Sequence, residues 1–572
     1  MVINTNKIKT VKAFLFTLFT VLIIYSCGKD SDVLPDSFPK MTSITINGSE
    51  KVFNATIYFN DGVYRSAGKT GDLNAQSFQV ELTGGTAILT SYLVNHVAGQ
   101  KNASFRIALD KEADMTEILT IRPINSEAIY NANGNSMDAS EYRSIGLDGI
   151  THETIVIKDD GNGTGTTTFT ANNVYVLDGF VYVNNGQTLT IEAGTVVKGK
   201  TGQGENASAL IVARGGTLLA SGTPTHPIIF TSVLDDLNGS VSDLDDGLWG
   251  GLIVLGDAII NSSNGEHKIE GIPDSEARAV YGGNNDEDNS GVLRYISIRH
   301  GGTDIGDGSE INGLTLGGVG NETIIEFIEV FSNKDDGVEI FGGAPQLNNI
   351  VVAFCGDDAF DYDDGFHGKG QFWIGIQGFN RGDRLGEHDG CSEENCTDLL
   401  TNPNIYNATY ISRHNGDEKQ LITFRGNSGG KYANSIFYQQ NTRIDIEYLT
   451  SESSYQQFLN EELQIANNIF YNLNGMQALK VIPGTGINSN QEDEANATLN
   501  AYFLSAANEN KDPGFILDGL TFNITPSNDV SGNMADYPED NWFRAVNYKG
   551  AINPSENTSW FEGWTLFSKY MN

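Results

Sequence analysis

The chain has 572 residues, and at roughly 100–200 residues per domain two or three domains are expected. Sixty-five glycines and a 39% hydrophobic content, with few stretches of helical period, point to a turn-rich all-β protein with an ample core. The formal charge of −38 makes a field that repels phosphate backbones, which excludes nucleic acid as a partner and disfavours anionic substrates unless cations intervene.

At the N-terminus, Lys7, Lys9 and Lys12 precede an apolar run over 13–24, too short to cross a membrane comfortably. A positive start, a short apolar stretch and a small residue at its end read as a signal peptide over residues 1–26. Its end, Ile24-Tyr25-Ser26-Cys27, resembles a bacterial lipobox, which implies cleavage before Cys27 and lipidation of that residue. The acyl chains would then be the membrane contact. Gly28-Lys29-Asp30-Ser31-Asp32 resembles the signals that send some Gram-negative lipoproteins to the outer face of the outer membrane. Residues 27–40, with Pro35 and Pro39, read as a tether. The expected location is the outer membrane, lipid-anchored and surface-exposed.

Residues 41–150 alternate apolar and polar in short runs, such as Ser77-Phe78-Gln79-Val80-Glu81-Leu82, separated by Gly and Asn-Gly turns. This predicts a β-sandwich, and stretches such as Ala128-Ile129-Tyr130-Asn131 resemble the Ig-like modules of bacterial surface proteins. From about Thr168 the texture changes to strand-length β-branched runs bounded by Gly, Asn and Asp, with little helical sequence between them. Glu326-Phe327-Ile328-Glu329-Val330 and Asn349-Ile350-Val351-Val352-Ala353 look equivalent at a spacing of 23, and Ala433-Asn434-Ser435-Ile436-Phe437-Tyr438 matches Ala466-Asn467-Asn468-Ile469-Phe470-Tyr471 at 33. Periods of this size mean a stacked solenoid whose coils bury their apolar faces against one another. The fold expected is an all-β chain in which an Ig-like β-sandwich (41–150) is followed by a right-handed parallel β-helix (168–480) and an end or cap region (481–572).

Several elements resemble a family of exported bacterial β-helix proteins, many of them lipoproteins. They include Thr190-Ile191-Glu192-Ala193-Gly194-Thr195-Val196-Val197, Leu248-Trp249-Gly250-Gly251-Leu252, Asp335-Asp336-Gly337-Val338-Glu339-Ile340-Phe341-Gly342-Gly343 and Trp560-Phe561-Glu562-Gly563-Trp564-Thr565. The resemblance implies fold and export; it carries no settled activity.

Acidic loops are the motifs with chemistry in them. Asp243-Leu244-Asp245-Asp246-Gly247 and Asp361-Tyr362-Asp363-Asp364-Gly365 share a D-x-D-D-G pattern, and Asp335-Asp336 and Asp357-Asp358 stand 22 residues apart, about one coil. Stacking brings such carboxylates together, and they repel unless a cation or a proton joins them. Oxygen-rich loops with Gly-permitted turns suit Ca²⁺, so these ten Asp residues are the candidate metal ligands; solvated turns are the other reading. Cys391 and Cys396 enclose a short polar loop, a spacing open to a disulfide in an oxidising compartment or to two free thiols, and Cys355 follows an apolar run as a core thiol.

Asn333-Lys334-Asp335 and Gly356-Asp357-Asp358 resemble the N-x-D and G-D-D elements of polygalacturonase-type hydrolases, which implies Asp335, Asp357 and Asp358 as catalytic carboxylates. The matching Gly-His-Gly and Arg-x-Lys do not follow at coil spacing, since Phe366-His367-Gly368 comes too early. With Lys369, Arg381 and Arg384 near the acids, a calcium-dependent lyase is the other enzymatic form. Spacing around His367, His388, Cys391 and Cys396 does not suit zinc. The expectation is a non-enzymatic binding or accessory protein, its partner a polysaccharide or an outer-membrane import or assembly complex; the alternative is a β-helix polysaccharide-degrading enzyme. A loop over 372–404 filling the groove beside Asp335, Asp357 and Asp361 would favour the scaffold.

Overall fold

Short β-branched runs punctuated by Gly and Asn leave the chain one economical way to bury its apolar residues, which is to wind strand upon strand. The computed structural model describes residues 38–571, apart from 48–50, 114–116, 148–152, 172, 238–239, 274, 307–308, 380, 391–395, 398, 414–419, 440–441 and 519–520. Cys27 and Cys391 therefore lie outside the described residues.

The N-terminal unit is antiparallel. One sheet orders Met41–Asn47, Val52–Phe59, Asn102–Leu109 and Leu89–Asn95 side by side; the other holds Phe78–Thr83, Ile118–Pro123 and Arg143–Gly146. Alternation along Val52–Phe59 and Asn102–Leu109 turns Phe53, Ala55, Ile57, Phe105 and Ile107 inward, where they meet Phe78 and Ile121 of the second sheet. Two packed antiparallel sheets fit the Ig-like module expected here.

The main body that follows is a right-handed parallel β-helix, built on an 18-stranded and a 10-stranded parallel sheet. Its first pairing sets Glu153–Ile157 on Asn173–Leu177, so the helix starts ahead of residue 168; its last parallel pairing, Glu509–Asn510 on Ile469–Tyr471, lies beyond 480. Early coils carry two separate strands on the larger sheet, and Gly291–Arg299 pairs with both Thr217–Ser221 and Ile228–Ser232. From there the strand is continuous but bent at a residue of positive φ: Tyr295 (48°), Phe327 (56°), Asn349 (58°) and Phe372 (58°) on successive coils. Ile328 faces Ile350 and Glu326 faces Asn348, so the coil step is 22 residues, one fewer than the spacing read from the sequence. Bend residues set the register, and Phe327 and Asn349 share nothing that a pattern match would align. Asn434 and Asn467 occupy the same kind of bend, where Asn tolerates the left-handed region, and there the step of 33 holds, with Ile436 facing Ile469.

Inside, Phe360 stacks on Trp373 (4.6 Å between ring centroids), and Tyr362 lies flat on His388 at 3.8 Å. Phe372, Trp373 and Ile374 are all buried. Cys355 is a free, buried thiol pushed up to about 12 by burial. The helix Ser489–Ser505, capped by Asn488 with Gln491 closing the capping box, lays Ala495 and Leu499 over the final coils. Past it the C-terminal residues do more than cap. They run back along the larger sheet as a strap, seating Phe522, Phe561, Leu566 and Phe567 against Phe331, Phe354 and Ile374.

Candidate metal centre

Three consecutive strands of the smaller sheet, Val338–Phe341, Phe360–Asp363 and Gly386–Asp389, share one plan. Their alternate residues Val338 and Ile340, then Phe360 and Tyr362, enter the core. The intervening positions face out, and pairing stacks Glu339 on Asp361 and Asp361 on Glu387. Strand spacing of about 4.8 Å makes this a ladder of like charges. Ahead of each strand comes a turn, Asp335-Asp336-Gly337, Asp357-Asp358-Ala359 and Asp383-Arg384-Leu385. Here side chains bridge coils: Asp336 Oδ1 accepts the Asp358 N–H at 2.8 Å, and Asp358 Oδ1 accepts the Arg384 N–H at 2.5 Å.

Carboxylate oxygens thereby converge. Within each of three trios, Asp335–Asp336–Asp357, Asp336–Glu339–Asp361 and Asp357–Asp358–Asp383, ligand atoms lie within 4.8 Å of one another. Burial, and then neighbouring negative charge, raises Asp336, Glu339, Asp358 and Asp361 well above the usual carboxylate range. Burial with Glu270, Glu310 and Asp357 pushes Asp335 up to about 7. Compensation is one-sided. Arg384 Nη1 lies 3.4 Å from Asp358, 2.8 Å from Asp383 and 2.5 Å from Glu387, and Arg425 holds Glu387 and Asp389. Asn312 donates to Glu339. Asp361 Oδ1, by contrast, is sealed from solvent and accepts no hydrogen bond among the described residues. A sealed acceptor amid other carboxylates asks for a proton or a cation. An all-oxygen donor set containing the Asp336–Glu339–Asp361 trio fits a hard divalent ion such as Ca²⁺.

The family model described as a pectate-lyase like beta helix domain matches residues 161–565. The chain belongs to that family. No curated protein matches it. Among solved structures, a family 28 exopolygalacturonase of Yersinia enterocolitica is similar at 10% identity and a TM-score of 0.18, over 78% of this chain and 100% of that one.

In this β-helix domain the ten sequence-predicted Asp residues fall into separate places. Asp335, Asp336, Asp357, Asp358 and Asp361 meet in the cluster. Asp363 caps the Asp364 N–H at 2.6 Å, and Asp364 takes the Tyr281 hydroxyl at 2.5 Å and His267 at 3.2 Å. Asp243 accepts the Tyr570 hydroxyl at 3.0 Å, Asp245 accepts the Ser242 N–H, and Asp246 pairs with Arg381. The two D-x-D-D-G loops are thus not structural equivalents, because only the second is partly a strand. Sequence reading missed Glu339, Glu387, Asp383 and Asp389. The signal was present as Asp-Asp-x-x-acid at 335–339 and 357–361, with Asp-Arg-x-x-Glu at 383–387.

For the alternative catalytic set, Asp335 and Asp357 stand within 4.8 Å, inside the separation of about 6.5–9.5 Å that inverting hydrolysis needs. Asp358 is buried under Arg384. The described residues of 372–404 include strand rather than loop alone. They carry the end of Lys369–Ile376 and the whole of Gly386–Asp389, and so supply the third rung of the ladder. His388 points into the core, held down to about 3 by burial, with Nε2 2.8 Å from the Tyr432 hydroxyl. Lys369 pairs with Asp540. Cys396 is disulfide-bonded, and its partner lies outside the described residues.

Proposed function

We propose that this chain is a lipid-anchored protein of the outer-membrane surface whose β-helix is a non-enzymatic binding scaffold locked by Ca²⁺. The observation that supports the cation is the sealed, unpartnered Asp361 Oδ1 between Asp336 and Glu339. Arg384 and Arg425, spent on carboxylates of the same cluster, favour a structural role over a lyase base. Calorimetric titration of chelated protein with Ca²⁺ is expected to show saturable binding. At a hundredfold excess over Kd the ion should add about 2.7 kcal/mol of stability. Asp361→Asn should remove most of both effects; equal heats and equal melting curves in the variant and the parent would sink the assignment.

The scaffold's partner is proposed to be a polysaccharide or an outer-membrane import or assembly complex, which co-purification from detergent-solubilised membranes would identify. Anchoring is tested separately: Cys27→Ala should release the protein from membranes or leave it unprocessed, and unchanged retention with normal processing would refute it. Family membership favours a second reading, degradation of acidic polysaccharide. New reducing ends or unsaturated uronates from polygalacturonate, lost in Asp357→Asn, would establish it in place of the scaffold.

A further inference from the structure

A cleft of about 300 Å³ opens where the N-terminal sandwich, the first β-helix coils and the C-terminal strap meet. Arg106 reaches it from the outward face of Asn102–Leu109, with Nη1 donating to the Gly563 carbonyl of the strap at 3.2 Å. Arg299 reaches it from the end of Gly291–Arg299, its Nε on Ser297 Oγ at 2.7 Å. His226 and Lys569 add to the polar lining beside neutral groups such as Asn54, Asn173 and Thr225, while Val196 and Trp564 supply apolar surface.

Acids outnumber bases 73 to 35 in this chain, so a guanidinium without a carboxylate stands out. Arg214, Arg278, Arg384 and Arg425 each hold at least two. Among the described residues, Arg106 and Arg299 hold none. The nearby Glu329 stands one hydroxyl away from Arg299, through Ser297, but its oxygens accept from Ser297 and from the backbone of Leu566 and Phe567, and it forms no direct ion pair with either guanidinium. Lys569 leans toward Asp243 at 3.8 Å and leaves the two arginines as the centre of positive charge. Arg106 is held below its ordinary value by desolvation and by the repulsion of Arg299.

We propose that this cleft binds a small organic carboxylate, with the two guanidiniums gripping its oxygens and its carbon skeleton lying on Val196 and Trp564. Paired planar forks match a carboxylate's geometry, and a low-charge wall beside them selects against inorganic anions that have no apolar face. The site is independent of the carboxylate cluster, which faces out from the other sheet.

Calorimetry on the mature protein would compare benzoate and glucuronate with benzamide, glucose and sulfate. Saturable binding of the two carboxylates, absent for the neutral analogues and weaker for sulfate, is expected. A glucuronate-terminated oligosaccharide that binds more tightly than glucuronate would assign the site to the acidic end of a polymer; equal or weaker binding would assign it to the free acid. Arg106→Gln and Arg299→Gln should each lose about ten- to a hundredfold in affinity, the worth of a charge-assisted hydrogen bond, while Arg106→Lys should lose less. No saturable binding of either carboxylate up to tens of millimolar would overturn the proposal. So would a Gln variant with a lowered melting temperature and unchanged affinity, which would make Arg106 only a latch on the strap.

Discussion

With a chelator present, raising the pH from about 5 to about 8 should lower the melting temperature, and Ca²⁺ should abolish most of that fall. Ordinary carboxylates behave the other way. A group held below its unfolded value adds stability as the pH rises, whereas Asp335, Asp336, Glu339, Asp358 and Asp361 are all held above it. An unfolded Asp titrates near about 3.9. Asp335 in the fold titrates at about 7, so between those values the folded chain binds a proton that the unfolded chain has lost. Stability then declines by up to about 1.4 kcal/mol per pH unit for each such proton. It is fully present below the unfolded value and lost as the pH passes through the folded one. In the proposed Ca²⁺ site a divalent ion would replace the protons and satisfy the same oxygens, so its affinity should rise with pH and its uptake should release protons into weakly buffered solution. General repulsion on a chain of charge −38 also weakens the fold at high pH, which makes the variant essential. Asp335→Asn with Asp361→Asn should make the chelated profile shallower while leaving the repulsion nearly intact. A parent profile that rises across this window, or is the same with and without Ca²⁺, would contradict the cluster's role.

The β-helix was readable because its signal is cooperative: many short β-branched runs, none decisive alone, can bury their faces only by stacking. The register was less readable. It depends on left-handed bends at Tyr295, Phe327, Asn349 and Phe372, and the three aromatic residues among them do not advertise positive φ as Gly or Asn would. That is why one spacing is off by a residue while the Asn-marked pair at 33 is not. In the site, the Asp pairs announced themselves by adjacency, but Glu339 and Glu387 lie three or more positions further along, and only the coil stack brings them back beside Asp361. Asp243, Asp245 and Asp246 matched a pattern that has no fixed place in a coil, and other partners took them. The strap was invisible for a different reason. Its residues have no repeat, and their destination is set by the apolar outer face of the larger sheet.

That strap is pinned by one buried acid, and replacing it should be among the costliest single changes in the chain. Glu329 is fully buried on the strand Ile324–Phe331, facing Ser297 across the ladder. It accepts the Ser297 hydroxyl, the Leu566 N–H at 2.9 Å and the Phe567 N–H at 2.7 Å. Glu329→Ala leaves two backbone donors in a dry site with no acceptor, at about 1–3 kcal/mol each, so a loss of about 2–6 kcal/mol is expected. Gln should fall between, since its carbonyl can serve one N–H while its amide opposes the other. The loss should be local before it is global. Phe561, Leu566 and Phe567 would lift from Phe331 and Phe354, and limited proteolysis should clip the strap while the coils stay resistant. Because Trp564, Leu566 and Lys569 wall the cleft that holds Arg106 and Arg299, a loosened strap should also weaken carboxylate binding there while Ca²⁺ binding on the other sheet is retained. Wild-type melting and wild-type protease resistance in Glu329→Ala would show that the aromatic seat alone holds the strap.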